Sequence, residues 1–210
     1  MNAEYIETSI QKALKGESNL TESELAVGGF STPTMRHLFN NICNIENGTY
    51  LEVGLWMGGT FVASFNKGLT SIGIENYAQD FGVVGVKDIL EANIDKHQNN
   101  AKEIQLHFTD CFTIDKSLLP KNIDIFFYDG VHHEFEQSIA LPKFIDNMAD
   151  TFIFIVDDFN WPQVFKGTNT GLDSLHDQIT IKNCWTLRGY ELENDPIWHN
   201  GAAIYLISKK

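Results

Sequence analysis

The stretch that decides the fold is "YLEVGLWMGGT", Tyr50 to Thr60. An apolar run carries one acid, Glu52, then reaches Gly54 and, after three intervening residues, Gly58 and Gly59. Read as a strand turning into a helix, it begins a βα unit. Glycine at such a turn removes the Cβ and lets a ligand or another backbone approach closely. In open α/β sheets ligands sit beyond the carboxyl ends of the strands, where the strand order reverses. The spacing is GxxxGG, not the GxGxxG of a dinucleotide fingerprint, and no GxxxxGK[ST] phosphate loop occurs. Glu52, read as lying in the turn, would repel a pyrophosphate. It would face a cationic ligand or hold loop N–H groups.

Outward from this stretch the pattern keeps alternating. "TSIGIEN", "IQLHFTD", "IDIFFYD" and "TFIFIVDD" read as strands, and "VKDILEANIDKH" and "HHEFEQSIALPKFIDNM" as helices between them. Several of the strands are apolar on both faces, as strands covered on both sides must be. The alternation argues for a mostly parallel α/β sheet. At the carboxyl end "TIKNCWTLRGYEL" and "GAAIYLISKK" read as two strands joined by the loop "ENDPIWHN", an antiparallel pairing. Upstream, "EYIETSIQKALKG" and "TPTMRHLFNNICNI" read as amphipathic helices. Gly16 stops the first; Thr32 caps the second, with Pro33 at its first position. The change of pattern near residue 49 divides the chain into a helical extension, 1–46, and an α/β domain, 47–210.

The chain has 210 residues, 43% hydrophobic and 12% aromatic, which suits a globular domain with an appendage. Its net charge of -13 repels phosphate backbones and argues against nucleic acid as a partner. Acidity also serves solubility. Cys43, Cys111 and Cys184 form no CxxC pair, so they read as free thiols of a reducing compartment. No apolar run approaches the ~20 residues of a membrane span, and the start lacks a secretory signal. These features give the expectation of a soluble cytoplasmic protein with no membrane partner. Whether copies form a homo-oligomer stays open.

Two strand-end acids extend the ligand reading. Glu75 ends "SIGIE", where a carboxylate suits the two hydroxyls of a ribose. Asp110 follows the next strand and can meet an adenine amino group, with Cys111 and Phe112 as an apolar wall. The ligand is then an adenosine carrying positive charge and no phosphate.

In these motifs the chain resembles the class I S-adenosyl-L-methionine-dependent methyltransferases. "YLEVGLWMGGT" is similar to their first motif, "IGIEN" to their ribose motif and "TDCF" to their adenine motif. "YDGVHHEFEQ" and "FIFIVDDFNWPQV" resemble the DGxH and VDDxNW of a group of small bacterial members. Over residues 32–208 the resemblance implies a Rossmann-like seven-stranded sheet, mostly parallel with an antiparallel last strand and helices on both faces. The cofactor would be S-adenosyl-L-methionine, held by Glu52, Gly54, Gly58, Gly59, Glu75, Asp110, Cys111 and Asp129. The methyl acceptor would be a small molecule, methylated on an oxygen of a sugar or other polar metabolite.

Asp129, Asp157 and Asp158 converge in this reading at two neighbouring strand ends. Three carboxylates so placed repel one another unless a proton or cation joins them. Oxygen ligands suit Mg²⁺ or another divalent cation. The set resembles the metal site of catechol-type O-methyltransferases, with Asp158 where those have Asn. Alternatively one or two of these acids cap helices or bind loop backbone, Asp157-Asp158 standing just before the next helix. His132, three residues after Asp129, is a candidate general base, with Asp129 beside it. Trp161, Trp198 and His199 are candidates for an acceptor pocket. Two other readings remain: an NAD-linked oxidoreductase or epimerase, disfavoured by the missing GxGxxG and YxxxK, and a non-catalytic nucleotide-binding module.

Overall fold

A computed structural model describes residues 1–188 and 196–210. The expected strand tail at 189–192 and the first part of the expected loop, 193–195, lie outside the described residues. Seven strands form one sheet: β1 Gly48–Val53, β2 Leu69–Glu75, β3 Glu103–Phe108, β4 Ile123–Tyr128, β5 Met148–Asp157, β6 Ile179–Leu187 and β7 Ala202–Lys209. Their order is β3-β2-β1-β4-β5-β7-β6. Pairings among the first five are parallel, and β7 runs antiparallel to both β5 and β6. The expected Rossmann-like sheet with an antiparallel last strand is therefore present.

The helices are α1 Ala3–Leu14, α2 Glu22–Leu25, α3 Pro33–Ile42, α4 Gly59–Ala63, α5 Val86–His97, α6 Glu134–Phe144 and α7 Pro162–Ser174. Thr32 caps α3 as expected, its side chain accepting from the Met35 N–H, with Pro33 in the first turn. The polar connector before it contains α2, fixed by a capping box between Thr21 and Glu24. Among the described residues no helix is long and apolar enough to cross a membrane.

The two-residue period of the strands sorts their side chains into two apolar layers. Tyr50, Ile125, Phe127, Ile153, Ile155 and Ile204 face α1, α3, α4 and α5. Leu51, Val53, Phe126, Tyr128, Phe154 and Val156 face α6 and α7. Phe39 of α3 lies 4.5 Å from Phe127 of β4, and Phe144 of α6 lies 5.3 Å from Phe126. Burial of each such side chain stabilises by about 1.5–3 kcal/mol. Ile6, Ile10 and Ala13 of α1 belong to the same layer as the sheet residues they help cover. The break in sequence pattern near residue 49 thus marks a change of local structure, while the apolar layer runs across it.

Strand order reverses between β1 and β4, and the chain leaves both strands on the same side. The cleft that opens there carries the site.

Candidate active site

The β1–α4 turn is set by sterics. Gly54 has φ +88°, and a Cβ there would stand 2.0 Å from the Asp129 carbonyl oxygen. Only glycine allows this left-handed turn and the close approach of β4. Gly58 also has φ +88°, but its absent Cβ makes room for Leu90; a Cβ at Gly59 would meet Arg36 and the Gly28 carbonyl. Gly54 and Gly59 line the cleft; Gly58 serves packing behind it.

Glu75, at the end of β2, braces that turn. Its Oε2 accepts from the backbone N–H of Leu55 at 2.7 Å and of Trp56 at 2.8 Å, and its Oε1 from Tyr77 N–H at 2.7 Å. Trp56 sits at φ +44°, a conformation unfavourable for a bulky residue and sustained by its surroundings. Its indole stacks on Phe30 at 4.2 Å and meets Phe81 edge-on at 5.8 Å, and its Nε1–H donates to Asp80 O at 3.3 Å.

Phe30 reaches the cleft because buried Arg36 gathers the connector before α3. The guanidinium donates to the carbonyls of Leu25, Val27 and Gly29 and to the Ser31 hydroxyl. Trp56 was legible as a bulky residue in the glycine turn. Phe30 and Phe81, from two separate loops, carried no signal of periodicity or spacing, although the Gly28-Gly29 pair before Phe30 marks a close approach, a Cβ meeting Met57 at the first and Arg36 and Gly59 at the second.

Glu52 is placed differently from the sequence expectation. It lies within β1, fully buried, and does not line the cleft. It accepts from the hydroxyls of Tyr50 and Thr60, both at 2.5 Å, and not from loop N–H groups. The period of two puts Tyr50 and Glu52 on one face, under the first turn of α4, which delivers Thr60. Burial raises the Glu52 pKa to about 8, although both hydroxyl bonds act to lower it.

At the end of β3, Asp110 accepts from Phe112 N–H at 2.6 Å and lines the cleft with Cys111 and Phe112. Burial pushes the Cys111 thiol up to about 12, so it is an apolar wall and not a thiolate nucleophile.

Past β4 and β5 the acids converge. Desolvation, and next the negative charge of Asp158, raise the Asp129 pKa well above the carboxylate range. Desolvation followed by Asp129 does the same to Asp157. Two facing carboxyls raised in this way are set to share one proton. His132 lies between two acids, with Nε2 3.4 Å from Asp129 Oδ1 and Nδ1 3.6 Å from Asp158 Oδ2. Its ring meets Trp161 edge-on at 5.4 Å.

Ligand atoms of Asp129, His132 and Asp157 lie within 4.8 Å of one another, close enough to share one metal ion. This trio differs from the expected Asp129, Asp157 and Asp158. Asp158 has left the strand at φ +52° and lies on the other side of the imidazole. Two oxygens and one imidazole nitrogen can hold a divalent cation, with a softer preference than an all-oxygen set. His199 also lines the cleft, whereas Trp198 is buried in the apolar layer with α1 and α3.

The cleft encloses about 630 Å³, within the range of roughly 300–1,000 Å³ usual for small-molecule sites. Five carboxylates line it, those of Glu75, Asp110, Asp129, Asp157 and Asp158, and no Lys or Arg does among the described residues.

No family model matches the chain, and no curated protein matches it in sequence. Solved structures do resemble it. An O-methyltransferase from Bacillus cereus in complex with S-adenosylhomocysteine has a TM-score of 0.61 at 13% identity, over 99% of this chain and 92% of that one. The O-methyltransferase TomG from Streptomyces achromogenes, involved in tomaymycin synthesis and bound to S-adenosylmethionine, gives 0.60 at 13% over 99% and 91%. Fibrillarin from Aeropyrum pernix, with natively bound S-adenosylmethionine, gives 0.53 at 15% over 78% and 67%. At such identities the likeness is one of fold: this chain has the Rossmann-like fold on which those S-adenosyl-binding proteins are built.

Proposed function

We propose that the chain is a cytoplasmic S-adenosyl-L-methionine-dependent methyltransferase, acting on an oxygen of a small soluble acceptor such as a sugar or another polar metabolite. The observation that carries this reading is the charge of the cleft: five carboxylates and, among the described residues, no Lys or Arg at the switch point of the sheet. Such a site attracts a sulfonium or ammonium and repels the pyrophosphate of NAD. The same field, with the net charge of -13, opposes nucleic acid, although fibrillarin shares the fold.

In this reading Glu75 and Asp110 take the ribose and adenine, Cys111 and Phe112 wall the base, and Gly54 lets the ligand pass close to the turn. Asp129 meets the positive end of the cofactor. Bound S-adenosylmethionine supplies an electrophilic methyl group. His132 would take the proton that the acceptor hydroxyl loses as its oxygen receives that methyl group. The Nε2 atom of His132 is buried and has no hydrogen-bond partner, which suits a base awaiting a proton. In the other arrangement Asp129, Asp157 and His132 would hold a divalent cation, whose chemistry is to orient a hydroxyl and lower its pKa, and His132 would then be a ligand and not the base.

Calorimetry decides the cofactor. S-adenosylmethionine and S-adenosylhomocysteine are expected to bind in the micromolar range, about -8 kcal/mol, and NAD not measurably. NAD binding without adenosyl binding would turn the reading to an oxidoreductase. On an accepted substrate, abolition by EDTA and recovery with Mg²⁺ or Mn²⁺ supports the cation; indifference to EDTA with loss of activity in His132→Ala assigns the proton transfer to the histidine alone.

A further inference from the structure

We propose that the acceptor carries a positive charge close to its reacting hydroxyl, as an amino alcohol or amino sugar does, and that Asp158 selects it. The inference rests on the methyl-transfer reading. Asp158 is 6% exposed, lines the cleft, and has an Oδ1 atom with no hydrogen-bond partner. The other acids of the cleft have partners. Glu75 accepts three backbone N–H groups, Asp110 accepts one, and neither Asp129 nor Asp157 has a buried oxygen without a partner. A buried carboxylate oxygen without a donor is unfavourable, and a donor on the ligand relieves it. No Lys or Arg among the described residues lines the cleft to do so.

Position along the sheet assigns Asp158 to the acceptor. Glu75 and Asp110 follow β2 and β3, on one side of the switch point, and Asp158 follows β5 on the other. A nucleoside held at β2 and β3 extends toward β1 and β4 and leaves the β5 end to the second substrate. There His132 lies 3.6 Å from Asp158, and Trp161 offers an aromatic ring to the same space. A hydroxyl at His132 and an ammonium at Asp158 then fall on neighbouring positions of one molecule. The ammonium gains a charge-assisted hydrogen bond to Asp158 and the attraction of the indole face. An acceptor bearing a carboxylate or phosphate there would meet like charge.

The test uses three hexoses of similar size: glucosamine, glucose and glucuronate. Each is titrated calorimetrically into the full chain saturated with S-adenosylhomocysteine. Glucosamine is expected to bind about tenfold or more tightly than glucose, and glucuronate more weakly than either. In Asp158→Asn that preference should disappear; Asn tolerates the left-handed backbone of this position, so the turn is retained. Equal or tighter binding of glucose or glucuronate overturns the proposal. So does the absence of saturable glucosamine binding, or a preference that survives in Asp158→Asn. Should S-adenosylhomocysteine itself fail to bind, the methyltransferase reading fails. The hexose series on the ligand-free chain then still reports whether Asp158 selects a cation.

Discussion

Replacing Glu75 with alanine separates bracing of the turn from contact with a ligand. The substitution removes both carboxylate oxygens and leaves three backbone donors, on Leu55, Trp56 and Tyr77, without their 2.7–2.8 Å acceptors. A hydrogen bond to a charged group contributes about 1.5–3 kcal/mol when buried. Here the carboxylate is partly exposed in an open cleft and water can replace it, so the sum is discounted to about 2–3 kcal/mol. For a domain of this size that corresponds to a fall in Tm of roughly 5–10 °C. Glu75→Gln should fall less, because one amide oxygen can still accept from Leu55 and Trp56 while the amide nitrogen confronts the Tyr77 N–H. Thermal unfolding followed by circular dichroism, with and without S-adenosylhomocysteine, reads both effects. A Glu75→Ala variant that melts within about 1 °C of wild type refutes the bracing calculation. If that variant also loses cofactor affinity, the carboxylate acts on the ligand alone.

Three further outcomes follow from the geometry. Gly54→Ala forces a Cβ into the Asp129 carbonyl at a φ that disfavours it and should destabilise by about 4 kcal/mol or more; a urea midpoint near wild type would show that the β1 and β4 ends part easily. Glu52, with its folded pKa raised to about 8, keeps a proton that the unfolded chain releases near pH 4.3. Its contribution to stability is full below about pH 4.3 and lost as the pH rises to about 8. Glu52→Gln should remove that decline and be the more stable protein at pH 8, on the order of 3–5 kcal/mol; urea midpoints that run parallel for the two proteins between pH 5 and 8 would oppose it. Deleting residues 1–20 tests whether 1–46 is a separable extension: loss of buried Ile6, Ile10 and Ala13 uncovers the layer over β4 and should lower Tm by about 10 °C or more, whereas an unchanged melt would make the segment an accessory.

The sequence alone determined the order of elements and the class of the sheet. Hydrophobic period and turn residues are local properties: "TFIFIV" and "IDIFFYD" carry apolar residues on both faces, so the sheet had to be covered on both sides. Thr32 and Pro33 announced a helix start, and the glycines after Val53 announced a turn that only glycine can make. The acids at the strand ends were legible for the same reason, since alternating strands and helices deliver the carboxyl ends of the parallel strands to one rim. What the sequence could not determine was which way those acids turn and what they meet. Glu52 looked like a residue of the turn, but one residue of register places it inside β1, under Thr60, away from the cleft. Asp157 and Asp158 are adjacent in sequence, yet only Asp157 clusters with Asp129 and His132, while Asp158, at a left-handed φ, lies against Nδ1 of His132, opposite Asp129. The two helices before residue 46 read as an appendage because composition changes there; only tertiary packing, Phe39 against Phe127, joins them to the sheet. The aromatic group at the cleft mouth brings together residues 30, 56 and 81. Such contacts come from the packing of three loops, and no local pattern in the chain encodes them.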